Sequence, residues 1–374
     1  MTRTSSSSPS RGKQLPDFPW DKLIPAKDRA SAHPGGICDL SVGTPVDPVP
    51  EFIRAALSGA ANSPGYPTTQ GTAELRGAIV GWLERCLGVL GVSVDSVLPT
   101  VGSKELVAWL PTLLGLGPDD TVVIPATSYP TYEVGALLAG CSVIRSDSLV
   151  AIGPVTPALL WLNSPANPTG KVLPVEHLRK VVQWARERGV VVASDECYIE
   201  LGWTEDPVSI LHPDVCGGSH KGLLAVHSLS KRSNLAGYRA GFVAGDQDLI
   251  TSLLGVRKHA GMMVPAPVQA AATAAFNDDE HVRDQRKRYR NRRELLAAAL
   301  REAGFRIDES AAGLYLWVSR DEPCWDTVEW FAERGILVAP GDFYGPSGGR
   351  HVRVALTASD ERVEVAGTRI RPQN

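Results

Sequence analysis

From about residue 97 to 245, short Val-, Ile- and Leu-rich runs alternate with stretches whose apolar residues recur at helical spacing. A run that is apolar throughout suits a strand buried on both faces. Alternation of such runs with helices predicts a mostly parallel sheet covered by helices. The predicted strands are Val97 to Val101, Thr121 to Pro125, Ala158 to Leu162, Val190 to Ser194, Leu223 to His227 and Ala240 to Ala244. Glu105 to Leu116 reads as a helix. So does Pro174 to Gly189, with proline in its first turn and glycine just past its end.

A long polar helix, about Asp278 to Ala303, separates this region from a C-terminal part. There Gly313 to Val318, Ile336 to Ala339 and His351 to Leu356 read as strands around a helix from Trp325 to Glu333, a small α+β domain. The expected organisation is a disordered, serine-rich tail at 1–14 and a Pro- and Gly-rich segment at 15–65 that packs with the small domain beside the active site. A large domain at 66–280, a connecting helix at 281–303 and the small domain at 304–374 complete it. Gly367 and Pro372 argue against a full closing helix.

A chain of 374 residues can bury a large core, and a formal net charge of -3 gives no field favouring nucleic acid or an anionic membrane. Arg283 to Arg293 holds seven Lys or Arg residues, which read as the solvated face of a helix and not as a nucleic-acid strip. No run of about 18 apolar residues predicts a membrane span. The six cysteines form no Cys-x-x-Cys pair, which suits a reduced, cytoplasmic protein. The histidines lack metal-ligand spacing, so no metal is expected.

Small-molecule chemistry remains. Lys231 lies in Ser228-Leu-Ser-Lys-Arg-Ser-Asn-Leu-Ala-Gly-Tyr-Arg239, just after a predicted strand. A lysine can hold pyridoxal 5′-phosphate as an imine, with the hydroxyls of Ser228 and Ser230 and the guanidinium of Arg239 on its phosphate. Asp195, at another strand end, fits the carboxylate that keeps the pyridine nitrogen protonated, and Tyr198 can donate to the ring oxygen. The competing reading of Asp195 is a strand cap, and that of Cys197 a buried thiol. Asn167, in Asn163-Ser-Pro-Ala-Asn-Pro-Thr-Gly170, can reach the same ring oxygen and a substrate carboxylate. Gly102-Ser103-Lys104 opens a helix, with Ser103 as candidate N-cap, and its free N–H groups make an anion site. Tyr129 can stack on the cofactor, with core packing as the alternative. Arg353, inside an apolar strand, requires an anion such as a substrate carboxylate.

Together and in this order, these segments resemble the fold type I pyridoxal-phosphate aminotransferases of class I and II. The resemblance implies an α/β fold with a large domain and a smaller α+β domain. It implies Lys231 as imine lysine, Asp195 at the pyridine nitrogen, and Tyr198 and Asn167 at the ring oxygen. Tyr129 would be the stacker, Ser103, Ser228, Ser230 and Arg239 would hold the phosphate, and Arg353 the α-carboxylate. Gly43 would line the substrate mouth. It also implies a homodimer with shared sites, in which Tyr66, within Gly65-Tyr-Pro-Thr-Thr-Gln-Gly71, reaches the neighbouring subunit's phosphate.

Leu15-Pro-Asp-Phe-Pro-Trp-Asp21, Ser103 to Leu114, Lys231 to Tyr238 and Arg257 to Pro265 look like the actinobacterial-type N-succinyldiaminopimelate aminotransferases. That likeness implies amino transfer between glutamate and N-succinyl-2-amino-6-oxopimelate in diaminopimelate and lysine biosynthesis. Met262 and Met263 favour a long, partly apolar substrate tail, with Arg232, Arg257, Lys258 and His259 as candidate partners for its distal carboxylate. Another amino- or diamino-acid aminotransferase, a C–S lyase on the same fold and a non-catalytic cofactor sensor are the alternatives.

Overall fold

The computed structural model describes residues 15–372, so the tail expected at 1–14 lies outside the described residues. The main sheet has seven strands: β1 (Val97–Val101), β2 (Thr121–Ile124), β3 (Ser142–Arg145), β4 (Leu159–Asn163), β5 (Val191–Asp195), β6 (Leu223–Ser228) and β7 (Ala240–Gly245). Their order is β1-β7-β6-β5-β4-β2-β3, and β7 runs antiparallel to both its neighbours while the remaining pairs are parallel. Edge strand β3, absent from the sequence expectation, is exposed at Ser142 and half-buried elsewhere. It lacks the fully apolar run that marks the inner strands.

Side chains alternate across this sheet as a period of two requires. Leu160 and Leu162 of β4 pack with the helices Ala73–Leu87, Val175–Arg188 and Ala266–Phe276. Leu159 and Trp161 face the helices Ser103–Leu113, Thr131–Ala139 and Gln247–Ala260 on the other side. The helix Val175–Arg188 has Pro174 at its N-cap and ends on Gly189 at φ 67°, the left-handed conformation that glycine adopts without a Cβ clash.

The second core is built on an antiparallel sheet of β8 (Arg306–Asp308), β9 (Tyr315–Ser319), β10 (Ala339–Pro340) and β11 (Val352–Ala355), in the order β10-β11-β9-β8. Leu23, Ala26, Ala30, Cys38 and Leu40 belong to the same core, and Cys38–Asp39 pairs in parallel with Ile336–Leu337. The expectation that all of 15–65 packs here needs correction. The helix Glu51–Gly59 lies on Ala266–Phe276, and Ile53 is buried in the main-sheet core.

The long helix Glu280–Glu302 buries Val282, Gln285, Tyr289, Arg292, Leu296 and Leu300, three to four residues apart. Contrary to the expectation from Gly367 and Pro372, a closing helix does form, at Asp360–Ile370. Gly367 faces Leu295, which a Cβ would overlap, so the glycine permits a close helix crossing. Pro372 falls after the helix end, where it breaks nothing.

Candidate active site

Parallel strands deliver their C-terminal ends to one edge of a sheet, the usual place for a ligand in open α/β folds. Here β1, β4, β5 and β6 lead there to Gly102, Asn163, Asp195 and Ser228. Because β7 runs the other way, its beginning falls at the same edge and brings Arg239 with it. A cavity of about 610 Å3 opens there. It is lined by Ser103, Lys104, Tyr129, Asn167, Asp195, Tyr198, Ser228, Ser230, Lys231 and Arg239, with Arg353 and Gly43 contributed from the second core's side. Gly102 is buried next to this group, whereas Tyr66 is 97% exposed and outside its own chain's cavity.

Lys231 sits in the single turn Leu229–Arg232, which starts from Ser228. The Ser228 hydroxyl oxygen accepts from the Ser230 N–H at 3.1 Å, leaving its own proton to donate into the cavity. The Lys231 ammonium donates to the Gly43 carbonyl, and burial pushes its pKa down. Arg239 follows a 3-10 turn at φ 54°, with Nη1 bonded to the Ala236 carbonyl at 2.9 Å. Gly102, not Ser103, holds the cap position of the helix Ser103–Leu113, at φ 73°. A Cβ at Gly102 would collide with the Arg239 guanidinium. The glycine therefore lets the arginine approach the open helix terminus, where the first turn presents unpaired N–H groups and Ser103 a hydroxyl.

Asp195 is buried, its Oδ2 accepting from the Tyr132 hydroxyl at 2.7 Å and its Oδ1 from the Cys197 N–H at 3.2 Å. Burial pushes its carboxyl up, and these hydrogen bonds limit the rise. Tyr129 meets Tyr132 edge-on at 5.9 Å, and burial pushes its phenol up to about 12. Cys197 Sγ lies 3.4 Å from the Ser103 hydroxyl, and burial holds this thiol well above its ordinary range.

Arg353 is buried, donating from Nη1 to Asn167 Oδ1 at 2.9 Å and from Nη2 to the Ser41 carbonyl at 2.6 Å. Its guanidinium lies 3.9 Å from the centre of the Tyr315 ring and 5.0 Å from that of Tyr344. Its Nε has no partner, and no carboxylate among the described residues pairs with it. The contact with Arg353 occupies the Asn167 amide oxygen and leaves the amide nitrogen as a donor. Asn163 orients this loop: its Oδ1 accepts from the Asn167 N–H at 2.7 Å, and its Nδ2 donates to the Asp195 carbonyl at 2.9 Å.

Sequence reasoning missed Tyr132, Asn163 and Tyr315. Tyr132 lies three residues beyond Tyr129, and Tyr315 falls inside the predicted strand Gly313 to Val318 as a residue with a polar tip. Two of the four candidate partners for a distal carboxylate already have carboxylate partners within the chain. Arg232 is sandwiched between Trp82 and Phe276 and paired with Glu200 at 2.5 Å. Arg257 is buried against Glu105 at 2.9 Å. Lys258 and His259 are exposed and do not line this chain's cavity.

The donor set has hydroxyls, helix N–H groups and a guanidinium at one end, a carboxylate at the other, and a buried amine between. That arrangement fits pyridoxal 5′-phosphate, which carries a dianionic phosphate and a ring nitrogen that ionises as a cation. The chain belongs to the class I and II aminotransferases, whose family model matches residues 36–370, and which depend on pyridoxal phosphate. It is 63% identical to a probable aminotransferase of Mycobacterium tuberculosis over 97% of this chain and 88% of that protein. It is 56% identical to the 4-dedimethylamino-4-oxo-anhydrotetracycline transaminase of Streptomyces rimosus, covering 96% and 99% of the two chains. A solved structure of a probable N-succinyldiaminopimelate aminotransferase from Thermus thermophilus superposes with a TM-score of 0.86 at 29% identity, covering 95% and 99%.

Proposed function

We propose that the protein moves an amino group between glutamate and N-succinyl-2-amino-6-oxopimelate, as in diaminopimelate and lysine biosynthesis. The observation that carries this reading is the cavity's arrangement of charge. Arg353, which has no carboxylate partner, is deep in the cavity, and Lys104 stands at the exposed rim, also without a carboxylate among the described residues. Val42, Val107, Ala108 and Val134 lie on the walls. Such a site suits a substrate with an α-carboxylate, an apolar body and a remote carboxylate. The Thermus protein with the shared fold carries that activity in its name.

Each residue has a chemical task in this reading. Ser103, Ser228, Ser230, Arg239 and the helix terminus at Gly102 hold the cofactor phosphate. Asp195 pairs with the ring nitrogen, Tyr129 stacks on the ring, and Tyr198 and Asn167 donate to the ring oxygen. Bound there, pyridoxal phosphate supplies the electron sink that makes the substrate's α-proton removable. Lys231 Nζ takes up that proton and returns it in the reverse half-reaction, burial pushing its pKa below that of an ordinary lysine. Arg353 fixes the α-carboxylate, and the Asn167 amide nitrogen stands beside it. Tyr66, solvent-exposed on its own chain, reaches the phosphate site of a second copy in a homodimer.

A second reading is favoured by Phe18, Pro19 and Trp20, which add an aromatic wall to the cavity, and by the tetracycline-pathway relative. In it the amino acceptor is a flat polycyclic ketone. Single-turnover absorbance of the holoenzyme separates the two. Glutamate should remove the band of the lysine-bound cofactor, and N-succinyl-2-amino-6-oxopimelate should restore it. Restoration only by 4-dedimethylamino-4-oxo-anhydrotetracycline would establish the second reading and overturn the first.

A further inference from the structure

Tyr315 performs two contacts with one side chain, and only one of them needs a tyrosine. Its ring supports the Arg353 guanidinium at 3.9 Å, a cation–π contact that phenylalanine would make equally well. Its hydroxyl goes elsewhere, to within 3.2 Å of the Tyr198 hydroxyl, the two rings meeting edge-on at 5.8 Å. Room for that hydroxyl comes from Gly43, where a Cβ would overlap the phenol oxygen. Two separate segments thus accommodate a hydroxyl that arginine support does not require.

We infer that Tyr315 is a positioning residue for the cofactor's imine nitrogen: its hydroxyl donates to the Tyr198 oxygen and makes Tyr198 a stronger donor to the ring oxygen. The inference rests on the placement of Tyr198 proposed above. Either hydroxyl can be the donor in this geometry. With the Tyr198 proton committed to the ring oxygen, Tyr315 is the one that donates. A hydroxyl whose oxygen accepts a hydrogen bond is polarised and donates more strongly in turn. A stronger donor stabilises negative charge on the ring oxygen, and that lowers the proton affinity of the neighbouring imine. The free nitrogen is then ready to accept the proton that the incoming amine substrate carries.

Other groups facing these atoms are Cys197, on the loop that carries Tyr198, Arg353 on β11, and Arg239 before β7. All are retained in a Tyr315→Phe variant, which deletes only the hydroxyl. The experiment is a pH titration of the visible absorbance of the lysine-bound cofactor in wild-type, Tyr315→Phe and Tyr198→Phe holoenzymes. In Tyr315→Phe the midpoint should rise by roughly half to one pH unit, the equivalent of one ordinary hydrogen bond. KM for glutamate should stay near wild type, because the ring under Arg353 remains. Tyr198→Phe should show the larger rise. A wild-type midpoint in Tyr315→Phe beside a raised one in Tyr198→Phe would overturn this inference and leave the role of Tyr198 standing. Unmoved midpoints in both would overturn the placement of Tyr198 as well.

Discussion

The Tyr132 hydroxyl donates to Asp195 Oδ2 at 2.7 Å, and the Tyr132 ring stacks on Trp161 of β4 at 4.9 Å. A helix side chain braced on one strand thus fixes the carboxylate at the end of the next. Hydrogen bonds to a charged group contribute about 1.5–3 kcal/mol, so Tyr132→Phe should lower kcat roughly tenfold or more. It should also speed cofactor loss, read as decay of the bound-cofactor absorbance during dialysis.

In the proposed reading, Lys231→Ala removes both the imine anchor and the base. Amino transfer should fall by roughly 10²–10⁴-fold, and the visible band of the lysine-bound cofactor should vanish. Substantial steady-state transfer by this variant would take Lys231 out of both roles.

Burial lowers the pKa of Lys231, since the low-dielectric surroundings disfavour the ammonium. Attack on the cofactor aldehyde requires the neutral amine. The rate at which apoenzyme takes up pyridoxal phosphate should therefore rise with pH and level off below the pH at which an ordinary lysine titrates. Stopped-flow absorbance over pH 6 to 10 checks this. A rate still climbing in proportion to hydroxide at the alkaline limit would contradict it.

Arg353→Lys keeps the charge and loses the planar pair of donors. KM for glutamate should rise roughly 10- to 100-fold, with a smaller effect on kcat. An unchanged KM would place the α-carboxylate elsewhere in the cavity.

Asp47 accepts from Arg292 at 2.6 and 2.8 Å and from Gln285 at 2.8 Å, tying the segment that carries Gly43 to the long helix. Burial raises its carboxyl pKa, but the bonds from Arg292 and Gln285 outweigh this and the net shift is downward. A depressed carboxyl stabilises the fold above the ordinary carboxylate range, and the contribution is lost as pH falls through the folded value. Asp47→Asn should cost about 3 kcal/mol in neutral urea melts. The gap to wild type should close below about pH 4.

The inner strands were legible because their apolar runs are buried on both faces, and the motif residues that follow them line one cavity. What failed involved partners distant in sequence. Arg257 and Arg232 looked available until Glu105 and Glu200 were found beside them. Tyr132 and Tyr315 meet their partners across 63 and 117 residues, and neither distance leaves a local pattern. The closing helix was underestimated because the propensity cost of Gly367 is visible in sequence, whereas its fit against Leu295 is not.

Two positively charged side chains of the cavity are held by main-chain oxygens of one short stretch: Ser41 accepts from Arg353, and Gly43 from Lys231. A carbonyl survives every substitution of the residue that bears it. Lineages of this protein can therefore exchange the neighbouring side chains Val42 and Thr44, both of which face the cavity, while inheriting the same anchors for the two cations. Drift in what the enzyme accepts is thereby uncoupled from the chemistry it performs.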